Sequence, residues 1–325
     1  MKFGIIGCQH PHIGSFINQM LKEGHELVGV MDNDPDSASQ YSQNLNVPIM
    51  AKREELIAAG AELAGTGAIP AERIEILEWC DKNGIHLVSD KPLVINETGL
   101  ESLRRIVNAD RIRIGMILDL RYSSLVQKLQ TEISKGTLGE LVNVSFFLPH
   151  KLNPSKRPEW FFKPSKAGSL ICDLMIHAID CFRWFADSEI ISHTAVMGRK
   201  RDDTPADFMD FGKATLRTKN GILSDVYVDW LVPQSYASWS DARIFCQGTK
   251  GFAELRFTGD FSHKEPALFI NTENIKETSI YKNTTECINC GQDIAPSKPI
   301  LMNSRDILKC AEICIAMEKE TEYVN

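Results

Sequence analysis

The stretch KFGIIGCQHPHIGSFINQMLKEGHELVGVMDND, residues 2–34, decides the fold of the first part of the chain. It opens with a short apolar strand, Lys2–Gly7, and a second strand, Glu26–Met31, precedes an acidic turn. Between the strands, apolar residues recur with the period of a helix: Ile13, Phe16, Ile17, Met20 and Leu21. This order predicts a βαβ unit with two parallel strands.

The same alternation continues to residue 119. Further strands are predicted at 47–50, 62–66, 85–89 and 112–118, and helices near 52–59, 71–83 and 97–109. A repeated βα pattern with short strands predicts an α/β domain over residues 1–119, built on a doubly wound parallel sheet. In such sheets, ligands bind at the carboxyl ends of the strands.

The pattern changes in residues 120–325, where strands outnumber helices. Helices are predicted at 124–135, 168–186 and 304–319, and strands at 141–148, 193–199, 212–218, 222–230, 243–247, 252–257 and 267–270. Turn sequences such as Asn220-Gly221 join neighbouring strands. These features predict an α+β domain with a largely antiparallel open sheet, in which the polar stretch 271–299 forms an exposed loop.

Composition excludes several classes of protein. The 325 residues carry a net charge of −7 and no basic cluster, so we expect no nucleic-acid partner. No apolar run approaches the length of a membrane span, and the first residues are too polar for a signal peptide. Nine cysteines, an odd number scattered among apolar runs, are typical of a cytoplasmic protein.

Two cysteine pairs, Cys287-x2-Cys290 and Cys310-x3-Cys314, admit an alternative hypothesis. Together they offer the four thiolates of a structural zinc site. However, Cys310 and Cys314 share the apolar stripe of the last helix, where cysteine behaves as a small hydrophobic residue. We therefore predict no metal there.

The turn after the first strand reads Gly7-Cys8-Gln9-His10-Pro11-His12-Ile13-Gly14. A dinucleotide-binding turn normally reads G-x-G-x-x-G, because glycines let the backbone approach a pyrophosphate at a helix N-terminus. Only Gly7 is in place, and Gln9 and His12 occupy the other two positions. The flanking strand and helix still favour a nucleotide site, formed by Gly7, Gln9, His10, Pro11, His12 and Ile13.

Asp32 ends the second strand, 25 residues after Gly7. Dinucleotide-binding folds place a carboxylate about 20 residues after the turn, where it accepts the ribose hydroxyls. A carboxylate repels a 2′-phosphate, so the sequence favours NAD over NADP, with Asn33 beside Asp32 in the site. The alternative role for Asp32 is to cap the next helix, which Asp34 could serve equally.

The segment GSLICDLMIHAIDCFRW, residues 168–184, is an apolar helix interrupted by Asp173, His177 and Asp180. Their spacing places all three on one helix face. A carboxylate beside an imidazole is how a general base is oriented, so we predict Asp173 and His177 as catalytic residues. The alternative is structural: Asp180 pairs with Arg183, and His177 is a core histidine.

His10 and His12 also allow a hydrolase hypothesis. The pair could bind a catalytic metal, with Asp173 and His177 as further ligands. Hydrolases of this kind are built on barrels of eight βα units, which the strand-rich second half does not provide. We therefore predict no metal site here and keep the hydrolase as the lesser alternative.

The ordered motifs of the chain resemble the Gfo/Idh/MocA family of glucose–fructose oxidoreductases and inositol dehydrogenases. They are the Gly7 turn, Asp32, Ser89-Asp90-Lys91-Pro92-Leu93, Gly115 through Tyr122, Gly136-x2-Gly139-Glu140, the 168–180 helix and the Gly248-Thr-Lys-Gly251 turn. The Asp90–Pro92 segment is similar to the family's Glu-Lys-Pro signature, with Asp in place of Glu. The resemblance implies an N-terminal Rossmann domain that binds NAD(P), and a C-terminal domain that binds sugars or polyols.

The same resemblance implies roles for particular residues. Lys91 would lie close to the nicotinamide and the reacting hydroxyl, where an ammonium stabilises alkoxide charge, and His177 would be the acid/base. It also extends the cofactor-binding residues to Gly67, Lys91 and Pro92, and the substrate-binding residues to Lys91, Arg121, Asp173 and His177. The chain departs from the family at 67–73, which lacks the usual Thr and His of a Thr-Pro-x-x-x-His stretch.

The segment 150–162, HKLNPSKRPEWFF, combines cationic and aromatic residues in a proline-broken loop. One hypothesis is a substrate lid, in which Trp160 stacks on a sugar ring and His150, Lys151 or Arg157 meets a hydroxyl or carboxylate. The alternative is a solvated connection with Trp160 in the core.

Together these observations predict an NAD-dependent oxidoreductase acting on a sugar, polyol or derivative. The alternative from another class is an NAD-binding sensor without turnover. We expect a homo-oligomer, a dimer or tetramer assembled through the C-terminal sheet.

Overall fold

The computed structural model describes residues 1–258, 265–273, 279–282, 294 and 301–324. These residues form two compact units. The first comprises 1–119, 165–168, 294 and 301–315, and the second comprises 120–164, 169–258, 265–273, 279–282 and 316–324. Cys287 and Cys290, which the zinc hypothesis needs, lie outside the described residues.

The first unit contains a five-stranded, all-parallel sheet in the order β2-β1-β3-β4-β5. Its strands are β1 (Lys2–Ile6), β2 (Glu26–Met31), β3 (Leu63–Thr66), β4 (His86–Asp90) and β5 (Ile114–Ile117). The helices that follow them are α1 (His12–Lys22), α2 (Pro35–Leu45), α3 (Arg53–Ala58), α4 (Arg73–Asn83) and α5 (Glu97–Ala109). The predicted α/β class is confirmed.

The predicted strand at 47–50 is reduced to one bridge. Val30 of β2 pairs in parallel with Ile49, through hydrogen bonds from Val30 N to Pro48 O and from Met50 N to Val30 O. Pro48 has no N–H to donate, so the ladder does not extend further back along the chain. Counting Ile49 as the edge position gives the strand order of a Rossmann fold.

The second unit contains a nine-stranded sheet in the order β13-β12-β11-β10-β6-β9-β8-β7-β14. Only the β6–β9 and β7–β14 pairs are parallel, so the predicted, largely antiparallel sheet is confirmed. The strands are β6 (Leu141–Pro149), β7 (Ile190–Gly198), β8 (Phe211–Thr218), β9 (Leu223–Asp229), β10 (Arg243–Gly248), β11 (Gly251–Arg256), β12 (Ala267–Thr272), β13 (Ser279–Lys282) and β14 (Glu322–Val324). Strand β13 lies in the stretch predicted to be a loop.

Helices cover one face of this sheet. The remaining helices are α6 (Asp119–Tyr122), α7 (Ser124–Ser134), α8 (Pro164–Ala167), α9 (Ile176–Ala186) and α10 (Ser304–Glu320). Helix α7 packs against β11 and β12, and α9 packs against β6. Strand residues alternate between this buried face and an exposed face, as the two-residue period of a half-buried strand requires.

The helix predicted at 168–186 begins three residues later than expected. Gly168 adopts φ +85°, outside the helical region, and the segment Ile171–Met175 forms a π-helical turn before α9. Turns of this kind are frequent at functional sites. Here the turn carries Asp173.

No helix in the described part of the chain is long and apolar enough to cross a membrane. The cysteines of the same part are all buried and form no disulfide with one another: Cys8, Cys80, Cys172, Cys181, Cys246, Cys310 and Cys314.

Candidate active site

Gly7 lies where the chain leaving β1 meets the chain leaving β3. It has φ +87°, and a Cβ atom on it would lie 2.4 Å from Ala68 Cβ, so no larger residue fits. Hydrogen bonds from Gly67 N to Gly7 O and from His10 N to Gly67 O join the two loops at 2.9 and 2.8 Å. The structure therefore brings the predicted residues Gly7, His10 and Gly67 together at the carboxyl ends of the strands.

Asp32 is directed onto the turn that follows β1. Its Oδ1 accepts hydrogen bonds from Gln9 Nε2 at 3.0 Å and Asp34 N at 2.7 Å, and its Oδ2 accepts one from Cys8 N. Asp34, and not Asp32, caps helix α2. Asp32 is thus a ligand-facing carboxylate whose Oδ2 retains acceptor capacity for a hydroxyl.

The Asp32 carboxylate lines a surface cleft within the first unit. Asn33, Arg53 and Glu72 are among the residues that line it. Burial and the charge of Asp32 raise the pKa of Glu72. A cleft with carboxylates next to a glycine turn fits the ribose of a dinucleotide.

Two other predicted cofactor residues contribute little through their side chains. Ile13 is fully buried, and its side chain belongs to the core of the first unit. Pro11 is exposed and precedes α1 with φ −65°, a conformation that favours the first helical turn. Any contact of Ile13 with a cofactor is limited to its backbone.

His10 and His12 both approach the buried carboxylate of Asp90. The distances are 2.6 Å from His10 Nδ1 to Oδ2 and 3.1 Å from His12 Nδ1 to Oδ1. Burial alone would raise the pKa of Asp90, but the charges and hydrogen bonds of the two histidines hold it well below its usual value. Burial lowers the pKa of His10, although Asp90 opposes the shift. We call His10, His12 and Asp90 the strand-end cluster.

The strand-end cluster is compact enough for a metal ion, since its ligand atoms lie within 4.8 Å of one another. The direct contacts between the histidines and Asp90, however, are hydrogen-bond distances. Arg73 Nη2 also lies 3.5 Å from Asp90 Oδ2, and Lys91 adds positive charge beside His10. The negative charge of Asp90 is therefore already balanced without a cation.

Lys91 follows β4 directly and is buried, with 6% of its surface exposed. Its backbone N–H donates to Asp90 Oδ1 at 2.8 Å, and the Lys91–Pro92 peptide is cis. The predicted catalytic lysine thus lies at the carboxyl end of a parallel strand, beside the strand-end cluster.

Arg73 is a residue of this region that the sequence analysis missed. It is fully buried and donates to three carbonyl oxygens, those of Ala68, Asp90 and Pro92, at 2.7, 2.8 and 2.9 Å. It therefore fixes the backbone on both sides of Lys91 and ties it to the loop after β3. The signal was an arginine in the stretch where the family's Thr and His are absent.

In the second unit, Asp173 lies on the π-helical turn and His177 lies four residues later in α9. His177 is 7% exposed, and Asp173 is half-buried. Asp180, on the same predicted face, is fully buried. We call Asp173, His177 and Asp180 the helix-face cluster.

Asp180 forms a bidentate ion pair with Arg121, and not with Arg183 as the structural alternative supposed. Arg121 Nε donates to Oδ2 at 2.8 Å and Nη2 donates to Oδ1 at 2.6 Å. Arg121 is 3% exposed, and its guanidinium also lies over Trp184. Arg121 therefore anchors α9 through Nε and Nη2, and its predicted substrate-binding role stays a prediction. Arg183 pairs with Glu189.

The loop 150–162 contains two 3₁₀ turns, Pro154–Lys156 and Glu159–Phe162. The His150 ring lies 5.6 Å from the Trp230 ring, and His150 Nδ1 lies 2.9 Å from Leu148 O. Arg157 lies over the rings of Phe161 and Trp230. Trp160 is half-buried against Phe161. The loop is therefore packed on aromatic residues, and the substrate lid and the connection with a packed Trp160 both stay hypotheses.

The first unit has a Rossmann-type sheet. Residues 126–254 match the family model described as the GFO/IDH/MocA C-terminal domain. This match confirms the resemblance predicted from the motifs.

Comparisons with individual proteins agree with this result. A myo-inositol dehydrogenase, Hyg17 of Streptomyces leeuwenhoekii, is 25% identical over 266 residues, which cover 80% of this chain and 78% of that protein. A crystal structure from Erwinia carotovora atroseptica SCRI1043, described provisionally as an oxidoreductase, superposes over 100% of both chains with a TM-score of 0.91 and 23% identity. GenD2 from gentamicin A biosynthesis, solved in complex with NAD, covers 98% of this chain and 93% of its own, with a TM-score of 0.80 and 16% identity.

Proposed function

We propose that this protein is an NAD-dependent oxidoreductase that transfers a hydride between nicotinamide and a hydroxyl-bearing carbon of a sugar, polyol or related compound. The observation that carries the proposal is Asp32, which ends β2 and faces the turn after β1. A relative of this chain, the myo-inositol dehydrogenase Hyg17, is a dehydrogenase acting on a polyol. The chain belongs to the same class of enzyme, dehydrogenases acting on CH–OH groups.

The residues at the strand ends fit the cofactor. The turn after β1 contains Gly7 with φ +87°, and Asp32 beside it can accept a ribose hydroxyl. The same carboxylate disfavours a 2′-phosphate, which supports NAD over NADP. Bound NAD supplies the acceptor for the hydride that leaves the alcohol carbon.

Oxidation of the alcohol removes a hydride from carbon and a proton from its hydroxyl, and leaves a carbonyl. We assign the proton to His177, since an imidazole accepts a proton at neutral pH. We assign the stabilisation of the developing alkoxide to the ammonium of Lys91, which burial shields from water. Asp173, one helical turn before His177, orients the imidazole or binds a substrate hydroxyl.

Calorimetry with NAD and NADP tests the cofactor assignment directly. Wild-type protein should bind NAD more tightly than NADP, and Asp32→Ala should weaken NAD binding by about 10- to 100-fold, as expected for loss of a charge-assisted hydrogen bond. Asp36→Ala is a matched control, because Asp36 is an exposed acid of the same segment. Equal binding by wild type and Asp32→Ala would contradict the assignment.

Turnover separates the enzyme from the sensor alternative. A panel of polyols and sugars is assayed for NAD reduction, with Lys91→Met as the inactive control. Tight NAD binding without hydride transfer to or from any member would favour the sensor. The relatives named above are oxidoreductases by description and give no support to the hydrolase.

We also propose that the exposed face of the second unit's sheet pairs two copies of the chain. Phe147 stacks on Tyr227 at 5.3 Å, and Phe245 stacks on Phe252 at 5.7 Å. Both Phe147 and Phe245 are about 40% exposed (42% and 38%). Exposed aromatic patches of this kind are typical of protein interfaces. Light scattering should give a dimer or tetramer, and Phe147→Lys with Phe245→Lys should give a monomer.

A cytoplasmic location is part of the same proposal. The cysteines of the described residues are buried and form no disulfide with one another, which suits a reducing compartment. Cell fractionation tests it, and recovery in an oxidising compartment would contradict it.

A further inference from the structure

Arg157 is held in an aromatic cage. Its guanidinium carbon lies 4.2 Å from the centre of the Phe161 ring, 5.2 Å from that of Trp230 and 5.2 Å from that of Trp239. The faces of aromatic rings attract a cation. The rings attract the positive charge of the guanidinium. They do not accept hydrogen bonds from its N–H groups, which point outward in the plane of the guanidinium.

The guanidinium has few hydrogen-bond partners. Within the described residues it donates one hydrogen bond, from Nε to Leu152 O at 3.1 Å, and no carboxylate is within ion-pair distance of it. Burial lowers the pKa of Arg157, and the more distant charge of Asp173 opposes the shift. The two Nη groups are therefore left as a fork of donors, a geometry that matches carboxylate and phosphate oxygens.

The neighbouring cation of the loop is engaged elsewhere. Lys151 Nζ donates to the carbonyl oxygens of Gln234 and Tyr236. A second donor next to the cage, the buried indole N–H of Trp160, has no acceptor among the described residues. Arg157 is therefore a partly buried cation of this loop whose two Nη groups have no acceptor among the described residues.

The surroundings place Arg157 on the substrate side of the second unit. Trp230 contacts both Arg157 and His150, and Asp173 of the helix-face cluster acts electrostatically on Arg157. An anion held by Arg157 would complete the pairing of a cation that burial otherwise penalises.

We infer that Arg157 recognises an anionic group of the substrate, so that the substrate class is a sugar or polyol derivative carrying a carboxylate or a phosphate. This inference rests on the proposed oxidoreductase function, because it names the substrate of that reaction. It assigns specificity to Arg157 and no part in hydride transfer.

The experiment is calorimetry with matched probes that differ only in the anionic group. Glucose, glucuronate and glucose 6-phosphate form one set, and galactose, galacturonate and galactose 6-phosphate form a second. Wild-type protein should bind at least one anionic probe about 10- to 100-fold more tightly than its neutral parent, the range for hydrogen bonds to a charged group. Tighter binding of the carboxylate-bearing probe or of the phosphate-bearing probe then shows which of the two anionic groups the site recognises.

Three variants make the test specific. Arg157→Met should abolish the preference for the anionic probe, and Arg157→Lys should retain only part of it, because Lys lacks the planar fork. Lys156→Met, which removes an exposed cation of the same loop, should leave the preference unchanged. If Arg157→Met does not fold, Arg157→Gln takes its place.

Equal binding of neutral and anionic probes by wild-type protein, absence of binding by every probe, or a preference that survives in Arg157→Met would overturn the inference. NAD binding, measured on the same samples, is independent of it. Loss of NAD binding with an intact anion preference would refute the proposed function and leave the anion site standing.

Discussion

The buried carboxylates of the strand-end cluster and the helix-face cluster, Asp90 and Asp180, obtain their hydrogen-bond and charge partners in different ways. Asp90 receives a hydrogen bond from the N–H of the next residue, Lys91, and contacts from the turn after the neighbouring β1. Asp180 forms a bidentate ion pair with Arg121, which lies 59 residues away in the sequence. The first arrangement follows from the geometry of a parallel sheet. The second includes a long-range ion pair, so the two regions should respond differently to mutation.

The largest expected effect is on catalysis by the helix-face cluster. His177→Gln should lower kcat by about 10²- to 10⁴-fold, the range for loss of a general acid/base, while the Kd for NAD stays within about two-fold. Steady-state kinetics and calorimetry measure the two quantities. His193→Gln, a histidine on β7 of the same unit, is the control. If His177→Gln changed NAD affinity as much as it changed kcat, the helix-face cluster would not be separate from the cofactor site, and the comparison would fail.

The next largest effect concerns the ion pair of the helix-face cluster. Arg121→Met should lower the free energy of unfolding by about 3–5 kcal/mol, because it leaves Asp180 buried and unpaired. The double variant Arg121→Met/Asp180→Leu should recover most of this loss, since both charges are then absent. Chemical denaturation measures both. A single variant within about 1 kcal/mol of wild type would show that the pair contributes little.

A smaller effect sharpens the picture of the cofactor side. Gln9 Nε2 donates a hydrogen bond to Asp32 Oδ1. Gln9→Ala should therefore free this acceptor and raise NAD affinity by about five-fold, which corresponds to one hydrogen bond of about 1 kcal/mol. Calorimetry checks the direction. Weaker binding by Gln9→Ala would instead make Gln9 itself a ligand of the cofactor.

The smallest effect is a pH dependence of stability from the strand-end cluster. Burial lowers the pKa of His10 below its ordinary value of 6.5, so below pH 6.5 the unfolded chain binds more protons than the folded chain. Stability from this group therefore falls as the pH falls from 6.5 toward the folded pKa. The free energy of unfolding of wild type, relative to His10→Gln, should decrease between pH 7 and 5 and stay constant from pH 7 to 8. The opposite slope would mean that Asp90 dominates the titration of His10.

The comparison also explains which features the sequence could reveal. The apolar periodicity predicted the parallel sheet, and the spacing from Gly7 predicted Asp32 at the strand end. Both could be predicted because both signals are local in the sequence. The structural alternative paired Asp180 with Arg183, three residues away, whereas the structure pairs it with Arg121. Arg73 and the aromatic rings around Arg157 were missed for the same reason. Contacts between residues far apart in the sequence leave no periodic trace in a single chain.

The π-helical turn at Ile171–Met175 also could not be predicted from the sequence, because it has the same apolar composition as the α-helix that follows. A helical period predicts a face but does not distinguish a π-turn from an α-turn. Asp173 lies on the π-turn and His177 on α9, and their roles in substrate chemistry remain predictions.

The single bridge at Ile49 has a consequence for how the protein behaves in concentrated solution. The outer side of a sheet's last strand presents unpaired N–H and C=O groups, on which strands of other molecules can add. Pro48 limits this outer position to one residue, and Ile49 is 50% exposed. Pro48→Val would restore a donor and allow a longer edge. We expect that variant to self-associate at concentrations at which the wild-type protein stays dispersed.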